Sequence, residues 1–402
     1  MRAAVVHKPV EDSAAGPGPG HCGSMNSLRG QLSVTDAEGV ISLVPHMLGF
    51  HPRDSLVVLI MCNSALEATL RVDLPAPDIG LASSRRLARH LVDYLRAVPE
   101  ANGACLVLYS EPGADPGKGL PYRAFVDVVA TELRRNGCRV VDAWVVGSER
   151  WWSCFCSEPA CCPSEGRPLE TVVLSDANLG MVVRGSSPLA VLWDGTTSME
   201  WPGVEAVRAV VDAQLAAGSG WRDTIRGLER WCLALDQEPD DLLGRLRENP
   251  ADTGALLAAL QMQMVRDALP FAAGGSTEGA RNALVGQLRQ AGTGDQLREL
   301  GEFMLGHSER APHWSTLERL WTVGRGVLPA ARGKDRCALL CILAWIEWAK
   351  GHSSGAHALI TTCRAEDPQY RLAALLDEFL ARGRLPRWAT RRDTAWTQGI
   401  EA

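Results

Sequence analysis

The chain has 402 residues, of which 46% are hydrophobic and 22% charged, with a formal net charge of −6. This is globular composition at a length that suits two cores, and it excludes a mainly disordered or collagenous chain. The acidic balance argues against broad phosphate neutralisation, so no nucleic-acid partner is expected. No apolar run reaches the roughly 18–20 residues of a membrane helix, and Met1–Val6 is too short for a secretory signal. A cytoplasmic protein without a membrane partner is therefore expected, with its twelve Cys held as free thiols.

Gly-Pro-Gly-Pro-Gly at Gly16–Gly20 predicts that residues 1–24 are a disordered leader, with translation starting at Met25. Thr35-Asp36-Ala37-Glu38 reads as a capping box, opening a helix that carries Val40, Ile41, Leu43, Val44, Met47 and Leu48. Pro45 should kink or stop that helix, because its ring clashes with the preceding turn. Ser55–Met61 is a continuous apolar run of strand length, as expected for burial on both faces. An Asn63-Ser64 turn leads into Leu66–Leu74, whose alternation predicts a hairpin with Glu67, Thr69, Arg71 and Asp73 on a solvated face. Ser84 is placed as the cap of a helix ending at Pro99, and Pro121 in the first turn of another closed by Gly137. Ala104–Tyr109 and Val140–Val146 read as further strands. The alternation predicts an α/β N-terminal domain, a mixed sheet with hairpins, over residues 30–195.

Beyond Trp201 the strand signals stop, and helical periods predict an all-α domain over residues 200–385, followed by a loose tail at 386–402. Ser315-Thr316-Leu317-Glu318 reads as a second capping box. Gly351, Ala356 and Pro368 match the turn, packing and closing positions of one tetratricopeptide unit. Cys337–Asp367 is therefore predicted as a tetratricopeptide-like hairpin within a helical bundle, not as a peptide-binding solenoid; a protein partner through the helical domain is a separate expectation.

At Leu48-Gly49-Phe50-His51-Pro52-Arg53-Asp54-Ser55-Leu56-Val57 the chain resembles an actinobacterial family known as domain of unknown function 4192. The resemblance continues at Arg71-Val72-Asp73-Leu74-Pro75, Arg150-Trp151-Trp152-Ser153, Cys161-Cys162-Pro163, Val265-Arg266-Asp267-Ala268 and Leu343-Ala344-Trp345. It covers about residues 32–388 and implies a bacterial cytoplasmic protein, with no activity attached. Cys154 stands where the family pattern carries an aromatic residue.

Three candidate sites follow. The Gly49–Ser55 loop between a helix and a buried strand offers backbone amides, with His51, Arg53, Asp54 and Ser55 placed to bind a small anionic ligand. Arg71 and Asp73 share one strand face near that loop and suit a polar ligand, the guanidinium in bidentate fashion. Cys156, Cys161 and Cys162, with Cys154, form a thiol cluster of redox type. No metal and no cofactor are expected, because neither cysteine pair is Cys-x2-Cys and adjacent Cys161 and Cys162 cannot easily share one ion. Gly-x-Ser-x-Gly, His-Glu-x-x-His and phosphate-loop signatures are missing from the sequence. The sequence therefore leads to a ligand- or partner-binding regulatory protein. The alternatives are an enzyme acting on an anionic metabolite and a thiol or zinc switch.

Overall fold

A computed structural model describes residues 3–7, 34 and 36–396, apart from 78, 97, 99, 111–119, 197–199, 219, 290–293 and 392. The chain divides into two compact units, residues 5–192 and 193–396. In the first, chain order runs β1 (Ala3–His7), α1 (Ala37–Leu48), β2 (Ser55–Cys62), β3 (Ala65–Asp73), α2 (Leu81–Leu95) and β4 (Gly103–Tyr109). It continues through α3 (Arg123–Arg135), β5 (Arg139–Val146), β6 (Arg150–Ser153), β7 (Arg167–Pro168), α4 (Glu170–Val173) and α5 (Asp176–Val183).

The strands make one mixed sheet in the order β1-β3-β2-β4-β5-β6-β7, with β4 and β5 parallel and the β2–β3, β2–β4, β5–β6 and β6–β7 pairs antiparallel. The mixed α/β fold expected from the sequence is the fold observed. Val57, Leu59, Cys105, Val107, Tyr109, Trp144, Val146 and Trp151 pack with Ile41, Val44 and Leu48 of α1. By strand alternation Leu56, Val58, Leu106 and Leu108 take the opposite face, and all four are fully buried. The apolar run thus becomes a strand covered on both sides.

Several local expectations are corrected. Strand β1 occupies part of the expected leader, while 8–24 and the Met25 start lie outside the described residues. Asp36 rather than Thr35 caps α1, accepting from the Gly39 amide at 2.6 Å. Glu38 does not close a capping box there; its carboxylate reaches Arg167 at 2.7 Å. Pro45 neither stops nor shortens α1, which runs on to Leu48 and ends at left-handed Gly49. Pro45 has no amide to offer the Ile41 carbonyl, and the buried Tyr109 hydroxyl donates to that carbonyl instead, at 3.4 Å. Ser84 lies inside α2 and bonds back to the Gly80 carbonyl, and α3 begins at Arg123 after left-handed Tyr122. Thr69 on the supposed solvated face is buried, because it lies opposite Leu59 on the sheet face that α1 packs against.

The second unit is helical: α6 (Val204–Ala216), α7 (Trp221–Leu235), α8 (Pro239–Glu248), α9 (Pro250–Leu260), α10 (Gln263–Gly274), α11 (Thr277–Arg289), α12 (Gly294–Met304), α13 (Trp314–Val327), α14 (Gly333–Ala349), α15 (Ser353–Glu366) and α16 (Arg371–Ala381). Helices α14 and α15 form the expected hairpin, turning at left-handed Gly351 with Ala356 fully buried. The second capping box does not form. Helix α13 starts at Trp314, and Glu318 instead accepts from Lys350 at 2.9 Å and from the Trp396 indole at 2.6 Å. The loose tail is also corrected for 387–396. Trp388 is fully buried, donates to the Ala349 carbonyl at 2.9 Å and packs on Phe303 and Trp348. Residues 397–402 lie outside the described residues. Among the described residues no helix is long and apolar enough to cross a membrane.

Candidate functional site

The structure brings part of the loop and strand site together. Ser55 lies opposite Asp73 in the β2–β3 register; Arg71 Nε donates to Ser55 Oγ at 2.9 Å, and Arg71 Nη1 pairs with Asp73 at 3.0 Å. Ser55 in turn donates to the Arg53 carbonyl, and the Leu74 amide to the Asp54 carbonyl. Asp54 holds a positive φ of 43°, so the loop is sharply turned. These bonds clasp the loop to β3. His51, Arg53 and Asp54 stay exposed outside the clasp, while Phe50 and Pro52 plug the core. His51 is pinned through its backbone to Leu189, and partial burial holds its imidazole below the usual range, with His46 adding to the shift.

A different region forms a cleft of 340 Å³, lined by Trp151, Trp152, Pro163 and Gly166 together with Arg123, Arg167, Cys156 and Cys162. Local hydrogen bonding builds it. Ser153, at the end of β6, accepts from the amides of Phe155 and Cys156 and so reverses the chain just past the strand. The amides of Cys161 and Cys162 both donate to the Glu158 carbonyl, at 3.1 and 2.7 Å. This tight turn brings the two neighbouring thiols back over Cys156. The Sγ atoms of Cys156, Cys161 and Cys162 all lie within 4.8 Å of one another, with Cys161 and Cys162 at 3.5 Å. Adjacent Cys161 and Cys162 therefore both come within reach of Cys156. Position in the turn, not spacing along the chain, decides it.

Cys154 is not part of the cluster. Its amide bonds the Ala143 carbonyl of β5, it is fully buried, and burial pushes its thiol up to about 12. Within the cluster the thiols differ. The Glu158 amide and the Cys162 thiol hydrogen-bond to Cys156 and draw it below the usual thiol range. Burial, with Cys156 and Cys161 as neighbours, pushes Cys162 up to about 12. One sulfur is thereby favoured as thiolate and its neighbour as the donor that solvates it.

The walls carry features that sequence spacing did not single out. Gly166 has φ 80°, and a Cβ there would lie 2.4 Å from the Trp152 ring, so only glycine lets the β7 approach close on that indole. Arg150 donates to the Gly166 carbonyl at 2.7 Å, and Trp152 to the Ser164 carbonyl at 3.3 Å. Arg167 lies 5.3 Å from the centroid of Trp151 while paired with Glu38. A Gly three residues after Pro163, in a stretch between two arginines, was the available signal for this wall.

No curated protein and no solved structure matches this chain. The profile of a family described as a domain of unknown function (DUF4192) matches residues 38–387, a span that includes the thiol cleft, the clasped loop and nearly all of the helical unit, and the chain belongs to that family.

Proposed function

We propose that the protein is a regulatory binding protein whose α/β unit works as a reversible thiol switch at Cys156, Cys161 and Cys162. The observation that carries this reading is the convergence of the three sulfurs within 4.8 Å, with Cys156 and Cys162 on the lining of an open cleft. A thiolate reached by a peroxide through such a cleft becomes a sulfenic acid, the peroxide leaving as an alcohol or water. A neighbouring thiol then displaces water from that sulfenic sulfur and forms the disulfide. Two thiols and one peroxide therefore give one disulfide, one water and one alcohol, or two waters when the oxidant is hydrogen peroxide. A cellular dithiol returns the pair to thiols by exchange. The resting state of such a switch belongs in a reducing compartment, which accords with a cytoplasmic location. The second step needs a partner sulfur within a small turn movement, and Cys162 and Cys161 both meet that need for Cys156.

The test is differential alkylation of the full reduced chain before and after one equivalent of hydrogen peroxide, read by peptide mass spectrometry. The expected result is loss of two thiols and a cross-linked peptide joining Cys156 to Cys162 or Cys161. Oxidation spread over unrelated cysteines such as Cys62, or three thiols that stay free, would defeat the reading.

A further inference from the structure

We infer that Cys156, Cys161 and Cys162 bind one zinc ion as three thiolates and leave its fourth coordination position open to the cleft. The inference rests on the same three thiols as the switch and names the ion that the reduced state holds.

Geometry carries it. Tetrahedral zinc with Zn–S bonds of about 2.3 Å needs sulfurs about 3.8 Å apart. The Cys161–Cys162 separation of 3.5 Å and the 4.8 Å bound on the whole set meet that need with side-chain adjustments of under about 1 Å. The backbone already supports such ligands. Both vicinal amides are tied to the Glu158 carbonyl, and the Cys156 amide is tied to Ser153. Three soft thiolates select zinc over the hard cations magnesium and calcium.

The fourth position follows from what surrounds the set. Among the described residues the cluster has three metal-ligating side chains, with no fourth His, Cys, Asp or Glu in the group. Its neighbour is instead the 340 Å³ cleft that Cys156 and Cys162 line together with Trp151 and Trp152. Closed structural zinc sites have four protein ligands, and sites with three keep a position for water or an exogenous ligand. Three thiolates and a dication sum to one negative charge; Arg123 and Arg167 line the same cleft, each also paired with a carboxylate, Asp127 and Glu38. Water or a small exogenous donor that enters through the cleft therefore takes the open position.

The test starts with full-length protein purified without chelator, its zinc measured by elemental mass spectrometry. One zinc per chain is expected. Cys156→Ser, Cys161→Ser and Cys162→Ser should each lower the retained zinc at least tenfold, while Cys62→Ser keeps it. A second measurement on the wild-type chain does not depend on how the variants fold. Cobalt(II) added to metal-free protein should give a thiolate-to-cobalt charge-transfer band, and azide should shift the visible d–d bands without removing it. Absence of both zinc and the cobalt band overturns the inference, as does zinc retained in all three variants. Visible bands insensitive to azide overturn the open position. Protein that purifies without zinc, gives no cobalt band and still forms the peroxide-dependent disulfide sinks the zinc inference and leaves the switch. Zinc-loaded protein inert to peroxide does the reverse.

Discussion

Gly166→Ala tests whether the cleft wall depends on the close approach of β7 to Trp152. The backbone at Gly166 has φ 80°, a conformation that costs an L-residue roughly 1–2 kcal/mol. The new methyl would meet Trp152 Cε2 at 2.4 Å and Nε1 at 2.5 Å, and an indole cannot yield as the end of a flexible chain does. If the ring stays, overpacking adds about 1–3 kcal/mol. If the half-buried ring swings out, its bond to the Ser164 carbonyl is lost, at about 1 kcal/mol. The two routes together predict a loss of roughly 2–5 kcal/mol in urea unfolding, a changed Trp emission, and slower two-thiol oxidation by peroxide. A variant that matches wild type in all three readouts would refute the argument that Gly166 sets the wall.

Trp388→Ala should cost about 3–5 kcal/mol by urea unfolding, because a fully buried indole leaves the Phe303–Trp348 cluster; a loss below about 1 kcal/mol would contradict the docked tail. Ala356→Leu should cost about 1–3 kcal/mol by overpacking the fully buried position in the α14–α15 hairpin, and unchanged stability would show that the hairpin register is wrong. Glu347 is held at about 2 in the folded chain, against 4.5 for a free side chain, by Lys350 and by His352, which outweigh the burial that opposes them. Its stabilisation is therefore present above about pH 4.5 and is lost as pH falls toward 2, worth about 3 kcal/mol in all. Glu347→Gln should be less stable at neutral pH and should flatten the stability profile between pH 5 and 2, and a profile as steep as wild type would exclude that role.

Elements whose signal is burial were legible in the sequence. Ser55–Cys62 is apolar at nearly every position because both faces of β2 are buried, and Asn63-Ser64 marked a turn that does need positive φ at both residues. Positions decided by competition between similar groups were not legible. Thr35 and Asp36 are both good N-caps, and Glu38 and Glu318 found cations elsewhere in their units instead of helix amides. Pro45 reads as a breaker unless the Tyr109 hydroxyl, 64 residues away, is known to take up the freed carbonyl. The clasp of Ser55, Arg71 and Asp73 followed from hairpin register, but register does not tell that Arg71 is held by its own sheet. The thiol site shows the same limit. Cys161 and Cys162 look incompatible as neighbours until one carbonyl, that of Glu158, is seen to accept from both their amides.

The account rests on Cys156, Cys161 and Cys162 forming one accessible unit, and a trivalent arsenical tests that directly. Phenylarsine oxide joins two thiols only when they are close, releasing one water. Reduced full-length chain, stripped of metal, should take up one equivalent, with the arsenic mapped by peptide mass spectrometry to two of these three residues and with Cys62 and Cys154 still unmodified by it. Uptake at other cysteines, or no uptake while the three alkylate independently, would contradict the account.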